Sequence, residues 1–188
     1  MTPRAVGRHG GALVVSLCVT ALCGCAGHNG APAMAVTRSQ IEQYLRKVEP
    51  IRLAVNQLLN GADPILNAFA GGRIRRSAAA RRMGELERQF AAYAVEIASV
   101  DPRSAQLRQL NTPYAETYVL EDSYLSALTV GLAEGDLEHL PNTQNTQRAA
   151  IIRWRTRLTV LADQVRAPLP ADLQQAGRGE IAPSPGRS

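Results

Sequence analysis

Apolar residues recur at spacings of three and four along most of residues 37–167, the pattern of one buried face of an α-helix. The first run is unbroken and consists of Ile41, Tyr44, Val48, Ile51, Val55, Leu58, Ala62, Ile65 and Phe69. Pro50 lies on this path without a backbone N–H, so we predict a long helix kinked near it. We predict that the helix restarts with Asp63 as its N-cap and Pro64 at its first helical position. Gly71 and Gly72 are expected to end this second segment.

The start of this helix is marked by residues that favour a helix N-terminus. Thr37 or Ser39 can cap it, because a hydroxyl accepts a hydrogen bond from the first free backbone N–H groups. Ser39 and Glu42 also have the spacing of a capping box.

Three further runs predict three more amphipathic helices. The second helix, capped by Ser77, ends near Asp101 and has the stripe Met83, Leu86, Phe90, Tyr93 and Ile97. The third runs from about Pro113 to Glu134, is closed by Gly135 and has the stripe Tyr114, Tyr118, Leu125, Leu128 and Leu132. The fourth follows the polar run 142–147, ends at Pro168 and has the stripe Ile151, Trp154, Leu158, Leu161 and Val165.

Four helices of similar length with short connections predict an all-α fold, an antiparallel four-helix bundle over residues 37–167. Residues 25–36 are rich in Gly, Ala and Pro and predict a flexible tether. Residues 168–188 are a Pro/Gly-rich tail with room for a turn of helix at 171–175, and we expect its last dozen residues to be disordered.

Residues 1–24 have the three parts of a secretory signal peptide. Arg4, Arg8 and His9 form a basic start, an apolar run extends from Ala12 to Leu22, and small residues follow. The run is about eleven residues long, whereas a membrane-spanning helix needs ~20. We therefore predict a signal that is removed, and not a permanent transmembrane anchor.

The end of this signal, Leu22-Cys23-Gly24-Cys25, resembles the lipobox of bacterial lipoproteins. The resemblance implies that Cys25 receives a diacylglyceryl group and that the peptidase cuts before it, leaving the protein lipid-anchored on the outer face of the cell membrane. Cys23 departs from the pattern, in which Ala or Ser is commoner. The alternative is a secreted protein cleaved after Gly24 or Ala26, with Cys25 incidental.

Composition narrows the classes of function. Without Arg4 and Arg8 of the signal, the mature chain carries 19 basic and 16 acidic residues, a net charge of +3 that is too small and mixed to predict nucleic-acid binding. All but one of the basic residues are arginine, a bias typical of a GC-rich, actinobacterial genome. The one cysteine of the mature chain, Cys25, would be lipidated, and His28 and His139 are its only imidazoles, so we expect no zinc or copper site and no cofactor.

Catalytic patterns are also missing from the sequence. His139 follows Asp136 and Glu138 in a predicted loop, where a lone histidine beside carboxylates is a solvated surface group. The serines form no Gly-x-Ser-x-Gly elbow, and the glycines form no phosphate-binding loop. We therefore expect a protein that is not an enzyme.

Two clusters remain as candidates for binding. The first cluster contains three tyrosines, Tyr114, Tyr118 and Tyr124, close in sequence to three acids, Glu116, Glu121 and Asp122. We expect the tyrosines at the edge of the core with their hydroxyls in water, and the acids on the outer face. The second cluster is basic and comprises Arg73, Arg75, Arg76, Arg81 and Arg82. Either the cluster is a solvated helix start whose positive charge is balanced by Glu85 and Glu87, or it contacts an acidic partner. Positive charge at a helix N-terminus opposes the macrodipole, which counts against a merely solvated helix start and makes this cluster the best candidate for contact with a partner.

Glu121 also occupies a stripe position of the third predicted helix, where a carboxylate needs a partner. In an antiparallel hairpin that closes around residues 135–142, Arg155 of the fourth helix faces it. We therefore predict an ion pair between Glu121 and Arg155 that fixes the register of the two helices.

Two hypotheses of function follow from these patterns. The favoured one is a membrane-anchored surface lipoprotein whose non-catalytic helical domain docks onto another cell-envelope component, an acidic polymer or a protein. The alternative is a carrier or receptor that holds a small molecule between the helices. A large apolar cavity would favour the carrier, and a fully packed core would favour docking.

Overall fold

The computed structural model describes residues 35–173 and 180–185, and within those ranges it contains helices and no strand. The α-helices are α1 (Arg38–Leu59), α2 (Ala62–Ala70), α3 (Arg76–Ala98), α4 (Ala105–Glu134) and α5 (Gln144–Gln164). Helices α1 and α2 together correspond to the first predicted helix. The predicted all-α fold of four helices packed against each other is thus confirmed.

The predicted restart of the first helix is found, but it comes earlier than expected, because the break lies at Asn60 and Gly61. Pro50 is inside α1, whose hydrogen bonding continues to Leu59. Because α2 begins at Ala62, Asp63 lies in its first turn and does not cap it. At the start of α1 the capping box is formed by Thr37 and Gln40, which confirms Thr37 as the cap, and the box predicted two residues later at Ser39 and Glu42 is wrong.

Helix α4 begins eight residues before the predicted start. Pro113 is inside the helix, which opens at Ala105 with Ser104 as its N-cap residue. Leu107, Leu110 and Asn111 are buried on the same helix and extend the stripe of Tyr114 backwards. Burial along these two extra turns outweighs the backbone hydrogen bond that proline cannot make. The predicted closure by Gly135 is confirmed, since this residue has a left-handed φ of 79°.

The connection between α4 and α5 folds back along α4 instead of turning beyond its end. Leu137 and Leu140 pack against the core, and a Cβ at Gly131 would lie 2.5 Å from the Asp136 carbonyl oxygen. The loop can pass this close only because position 131 has no side chain. As a result α5 starts beside Tyr124, with which Gln144 shares a surface cleft.

The two ends of the described chain add to the core. Val36, placed by the sequence in the tether, is buried, and its N–H donates to Gln106 Oε1 at 3.0 Å. After α5, a 3-10 helix spans Ala171–Leu173, within the turn of helix predicted there. Leu173, Ile181 and Ala182 are also buried. Part of the predicted tail therefore belongs to the folded domain.

The signal peptide, the lipobox with Cys25 and most of the tether fall in residues 1–34, which lie outside the described residues, as do 174–179 and 186–188 of the tail. Among the helices that are described, none is both long and apolar enough to cross a membrane.

Candidate functional site

The five clustered arginines, here named the arginine surface (Arg73, Arg75, Arg76, Arg81 and Arg82), lie in the turn before α3 and in its first two turns. All five are exposed. No ion pair within the described part of the chain includes any of them. Glu85, expected to offset the cluster, pairs instead with Arg88. Among the described residues, the arginine surface is therefore a patch of positive charge without acidic side-chain partners.

Local backbone geometry holds this surface in place. Gly72 adopts a left-handed φ of 66°, which lets the chain reverse after α2. The N–H groups of Arg73 and Ile74 then both donate to the Ala68 carbonyl, at 2.8 and 3.3 Å. Ile74 packs against the core and anchors the turn. The predicted end at Gly71 and Gly72 is thus confirmed.

One member of the surface has a structural role as well. Arg76 Nη1 donates to the Glu134 carbonyl oxygen at 3.2 Å, and its side chain lies against Gly135. A cation at this place complements the partial negative charge at the end of α4. Val36, where the tether enters the domain, is hydrogen-bonded to Gln106 at the opposite end of α4. By the rise of an α-helix, the length of α4 therefore separates the arginine surface from the tether by ~40 Å.

A second polar feature is a buried hydrogen-bond chain that joins the helices. Trp154 Nε1 of α5 donates to the Tyr44 hydroxyl of α1 at 2.7 Å, and Tyr44 donates to Asn111 Oδ1 of α4 at 3.0 Å. Asn111 Nδ2 donates to the Val100 carbonyl after α3 at 3.1 Å. The chain satisfies polar groups that burial would otherwise leave unpaired. It fixes the four helices relative to one another.

The clustered tyrosines of α4 are deeper than expected. Tyr114 and Tyr118 are buried, and their hydroxyls lie 3.2 Å apart, so the prediction that they point into water is wrong. Burial raises the pKa of both hydroxyls well above the usual value. Tyr124 is buried too, with a pKa raised to about 12, chiefly by burial. Of the three acids, Glu116 is exposed, whereas Glu121 is fully buried.

Arg52 is a buried cation that the sequence analysis missed. Its side chain is 1% exposed and pairs with Glu49 at 2.7 Å, with Asp172, and with Glu180 at 3.7 Å. Burial alone would lower the pKa of Arg52, but the hydrogen bond and charge of Glu49 raise it above its usual value. The spacing did hold a signal, because position 52 follows Val48 by four and precedes Val55 by three, on the apolar stripe.

Glu121 does not pair with Arg155, and the predicted ion pair is absent from the described contacts. Its carboxylate accepts hydrogen bonds from Gln147 Nε2 and from the Ala182 N–H, both at 2.9 Å. Gln147 stands where Arg155 was expected, eight residues or about two turns away. Because the loop folds back along α4, α5 begins nearer to the N-terminal end of α4 than a hairpin closing at 135–142 would allow. The charge of Arg155 acts instead on Glu180.

Burial raises the pKa of Glu121 to about 7, against the opposing hydrogen bonds of Ala182 and Gln147. The folded protein therefore holds a proton that the unfolded chain, with a glutamate pKa of about 4.3, releases. Stability is greatest below the lower value and is lost as the pH rises through the higher one. We expect the free energy of unfolding to fall by about 2 kcal/mol between pH 5 and 8 on this account.

Denaturation in urea at several pH values measures this effect. Glu121→Gln is expected to remove that part of the pH dependence, whereas Glu116→Gln, an exposed position on the same helix, keeps it. Equal slopes for wild type and Glu121→Gln would show that the buried carboxyl does not titrate in this range.

The other candidate groups have surface positions. His139 is an exposed loop residue with Nδ1 2.9 Å from Asp136 Oδ2. Within the described ranges no three His, Cys, Asp or Glu side chains are grouped to hold a metal ion. A cleft of about 780 Å³ lies at the surface between the α4–α5 loop, Tyr124 and Ser184.

Comparisons with known proteins give no relative. The chain matches no protein-family model, no curated protein and no solved structure. Its function is therefore inferred from its own residues.

Proposed function

We propose that this protein is a membrane-anchored surface lipoprotein whose helical domain is non-catalytic and docks onto an acidic component of the cell envelope. The observation that carries the proposal is the arginine surface, five exposed arginines within ten residues and without an acidic partner among the described residues. Unscreened like charges repel one another, so an acidic partner would relieve the repulsion. Such contacts steer association and weaken with salt.

The position of the arginine surface supports the same proposal. It lies at the end of α4 opposite Val36, where the tether joins the domain. With the tether held at the membrane, the surface points ~40 Å outward, by the helix rise. That separation favours a partner beyond the bilayer, an envelope polymer or a protein, over the anionic lipid of the anchoring membrane.

The carrier hypothesis has less support. The space between the helices is filled by large side chains, with Trp154 stacked on Tyr114 at a ring separation of 4.1 Å and Phe90 on Tyr118 at 5.7 Å. A small molecule in this position would have to displace them. Docking through the surface requires no such rearrangement.

Anchoring is proposed from the lipobox resemblance alone. We expect Cys25→Ala to move the protein from the membrane fraction to the soluble fraction and to leave its signal uncut by the lipoprotein peptidase, because the lipidated thiol would be lost. Fractionation and intact-mass measurement check both effects, with Cys23→Ala as the matched control that keeps the lipidation site. A Cys25→Ala protein that stays membrane-bound and is processed normally would contradict the proposal.

The docking surface is tested by neutralising it. Changing all five arginines of the arginine surface to Gln should remove specific cross-linked partners from intact cells, and raising the salt should weaken capture by the wild type. The control removes the same charge from five exposed positions elsewhere, namely Arg46, Arg103, Arg148, Arg153 and Arg157. If the captured set is identical for wild type and both variants at low and high salt, the arginine surface is only a solvated helix start.

A further inference from the structure

Residues 180–185, here named the docked segment, lie in a groove between α4 and α5 and have no regular secondary structure. Their sequence is Glu-Ile-Ala-Pro-Ser-Pro. The two prolines restrict the backbone and favour an extended form. Glu180, Ile181 and Ala182 are each no more than 2% exposed. The groove thus encloses half of a short non-helical peptide.

Side chains of the helices hold the backbone of this segment. The Ala182 N–H donates to Glu121 Oε1 of α4 at 2.9 Å, and the Ala182 carbonyl accepts from Gln144 Nε2 of α5 at 2.8 Å. The Tyr124 hydroxyl donates to the Pro183 carbonyl at 3.2 Å. Recognition of main-chain groups together with a few side-chain pockets is how peptide-binding domains accept non-helical ligands.

The first pocket of the groove is a site for a carboxylate. Glu180 enters it and meets the guanidinium of Arg52 at 3.7 Å, with the charge of Arg155 also acting on it. No hydrogen bond of normal geometry from the described residues reaches either oxygen of this fully buried carboxylate, although the Tyr114 hydroxyl and the Glu180 backbone lie near enough to stabilise its charge. A buried charge without hydrogen bonds is costly. A partner carboxylate that forms hydrogen bonds of better geometry in this pocket would therefore compete with Glu180.

We propose that this groove is a binding site for a non-helical peptide segment of a partner protein, one that carries a carboxylate two residues before a small residue with a free backbone N–H. The docked segment is then an exchangeable occupant with the same chemistry. Arg52 supplies the cation for the carboxylate, and Glu121 and Gln144 bind the main chain. The site lies on α1, α4 and α5 and does not depend on the arginine surface.

The test releases the docked segment from protein that has already folded. Residues 174–179 of the full mature chain are replaced by the recognition sequence of a site-specific protease, and the purified protein is cut. A fluorescent peptide with the sequence of residues 180–185 is the probe, and its anisotropy reports binding. We expect saturable binding to the cut protein and at least about tenfold weaker binding to the uncut protein, in which the segment competes from the same chain.

Variant peptides identify the contacts. Glu180→Gln removes the charge and Ala182→Pro removes the N–H that Glu121 accepts, so each should weaken binding about tenfold or more. Pro185→Ala, a position with no hydrogen bond to the described residues, is the matched control and should change affinity less than about threefold. Equal binding of the Ala182→Pro peptide would contradict backbone recognition by the groove.

Two further outcomes would overturn the proposal. If the cut protein loses its helical circular dichroism or never exchanges its segment for the probe, the segment is a permanent part of the fold. If the uncut chain forms dimers by exchanging this segment, the groove serves a second copy and not a partner protein.

Discussion

Replacing Trp154 with alanine is expected to destabilise the protein by about 4 kcal/mol, within the range for loss of a large buried aromatic side chain. Trp154 is 2% exposed, stacks on Tyr114 and donates a hydrogen bond to the hydroxyl of Tyr44. The variant loses the packing and leaves a cavity at the point where α1, α4 and α5 meet. Urea denaturation followed by circular dichroism measures the change.

Milder variants separate packing from hydrogen bonding at this site. Trp154→Phe keeps an aromatic ring against Tyr114 but loses the donor, and we expect a cost of about 1 to 2 kcal/mol. Tyr44→Phe should cost a similar amount, and the double variant should cost less than the two single changes together because they remove one shared bond. A loss below about 1 kcal/mol for Trp154→Ala would show that this contact is not central to the core.

The second large effect is expected at Arg52. Arg52→Met should destabilise the protein by roughly 3 to 5 kcal/mol, the range for removal of one partner of a buried ion pair. Glu180 is fully buried and would lose its nearest cation, so it must either bear a poorly compensated charge or take up a proton, whereas Asp172 is partly exposed and can reach water. Much of the loss therefore comes from the carboxylate left behind.

A double variant tests that explanation. Arg52→Met combined with Glu180→Gln removes both charges and should recover a large part of the loss, since no buried charge is left unpaired. Arg52→Met with Asp172→Asn is the matched control and should recover little. If the two double variants are equally unstable, Glu180 is not the source of the effect.

The helical stripes show how far the sequence determines this fold. Helices α3 and α5 were predicted because their apolar spacing is regular, and Gly135 was recognised as the end of α4. The start of α4 was missed, because Pro113 was taken as a helix start although Leu107 and Leu110 continue the stripe. Periodicity determines which face is buried; it determines the ends of helices less well.

The predicted partner of Glu121 shows where pattern reasoning fails. Its stripe position indicated a buried carboxylate, and it is fully buried, so the expectation that it lies on the outer face with Glu116 and Asp122 is wrong. The predicted partner was wrong because the facing residue on α5 depends on how the α4–α5 loop folds. This loop passes close over Gly131, and no periodic pattern in the sequence indicates that path. The docked segment was missed for a similar reason, since Ile181 and Ala182 sit in a short non-helical stretch without a repeating pattern.

The arginine surface was found from sequence because five basic residues within ten are visible as composition. The buried cation Arg52 was overlooked because charged residues are rarely fully buried and were assigned to solvent. The stripe spacing around it is a stronger indication of burial than the residue type.

Site-specific photo-cross-linking in intact cells tests the docking proposal most directly. A photoreactive amino acid is placed at Ser77, within the arginine surface, or at Ser99, an equally exposed position at the other end of α3. The two positions are roughly 33 Å apart along the helix. The account predicts a discrete adduct from Ser77 that high salt weakens, and none from Ser99. Adducts of equal yield from both positions, or from Ser99 alone, would contradict it.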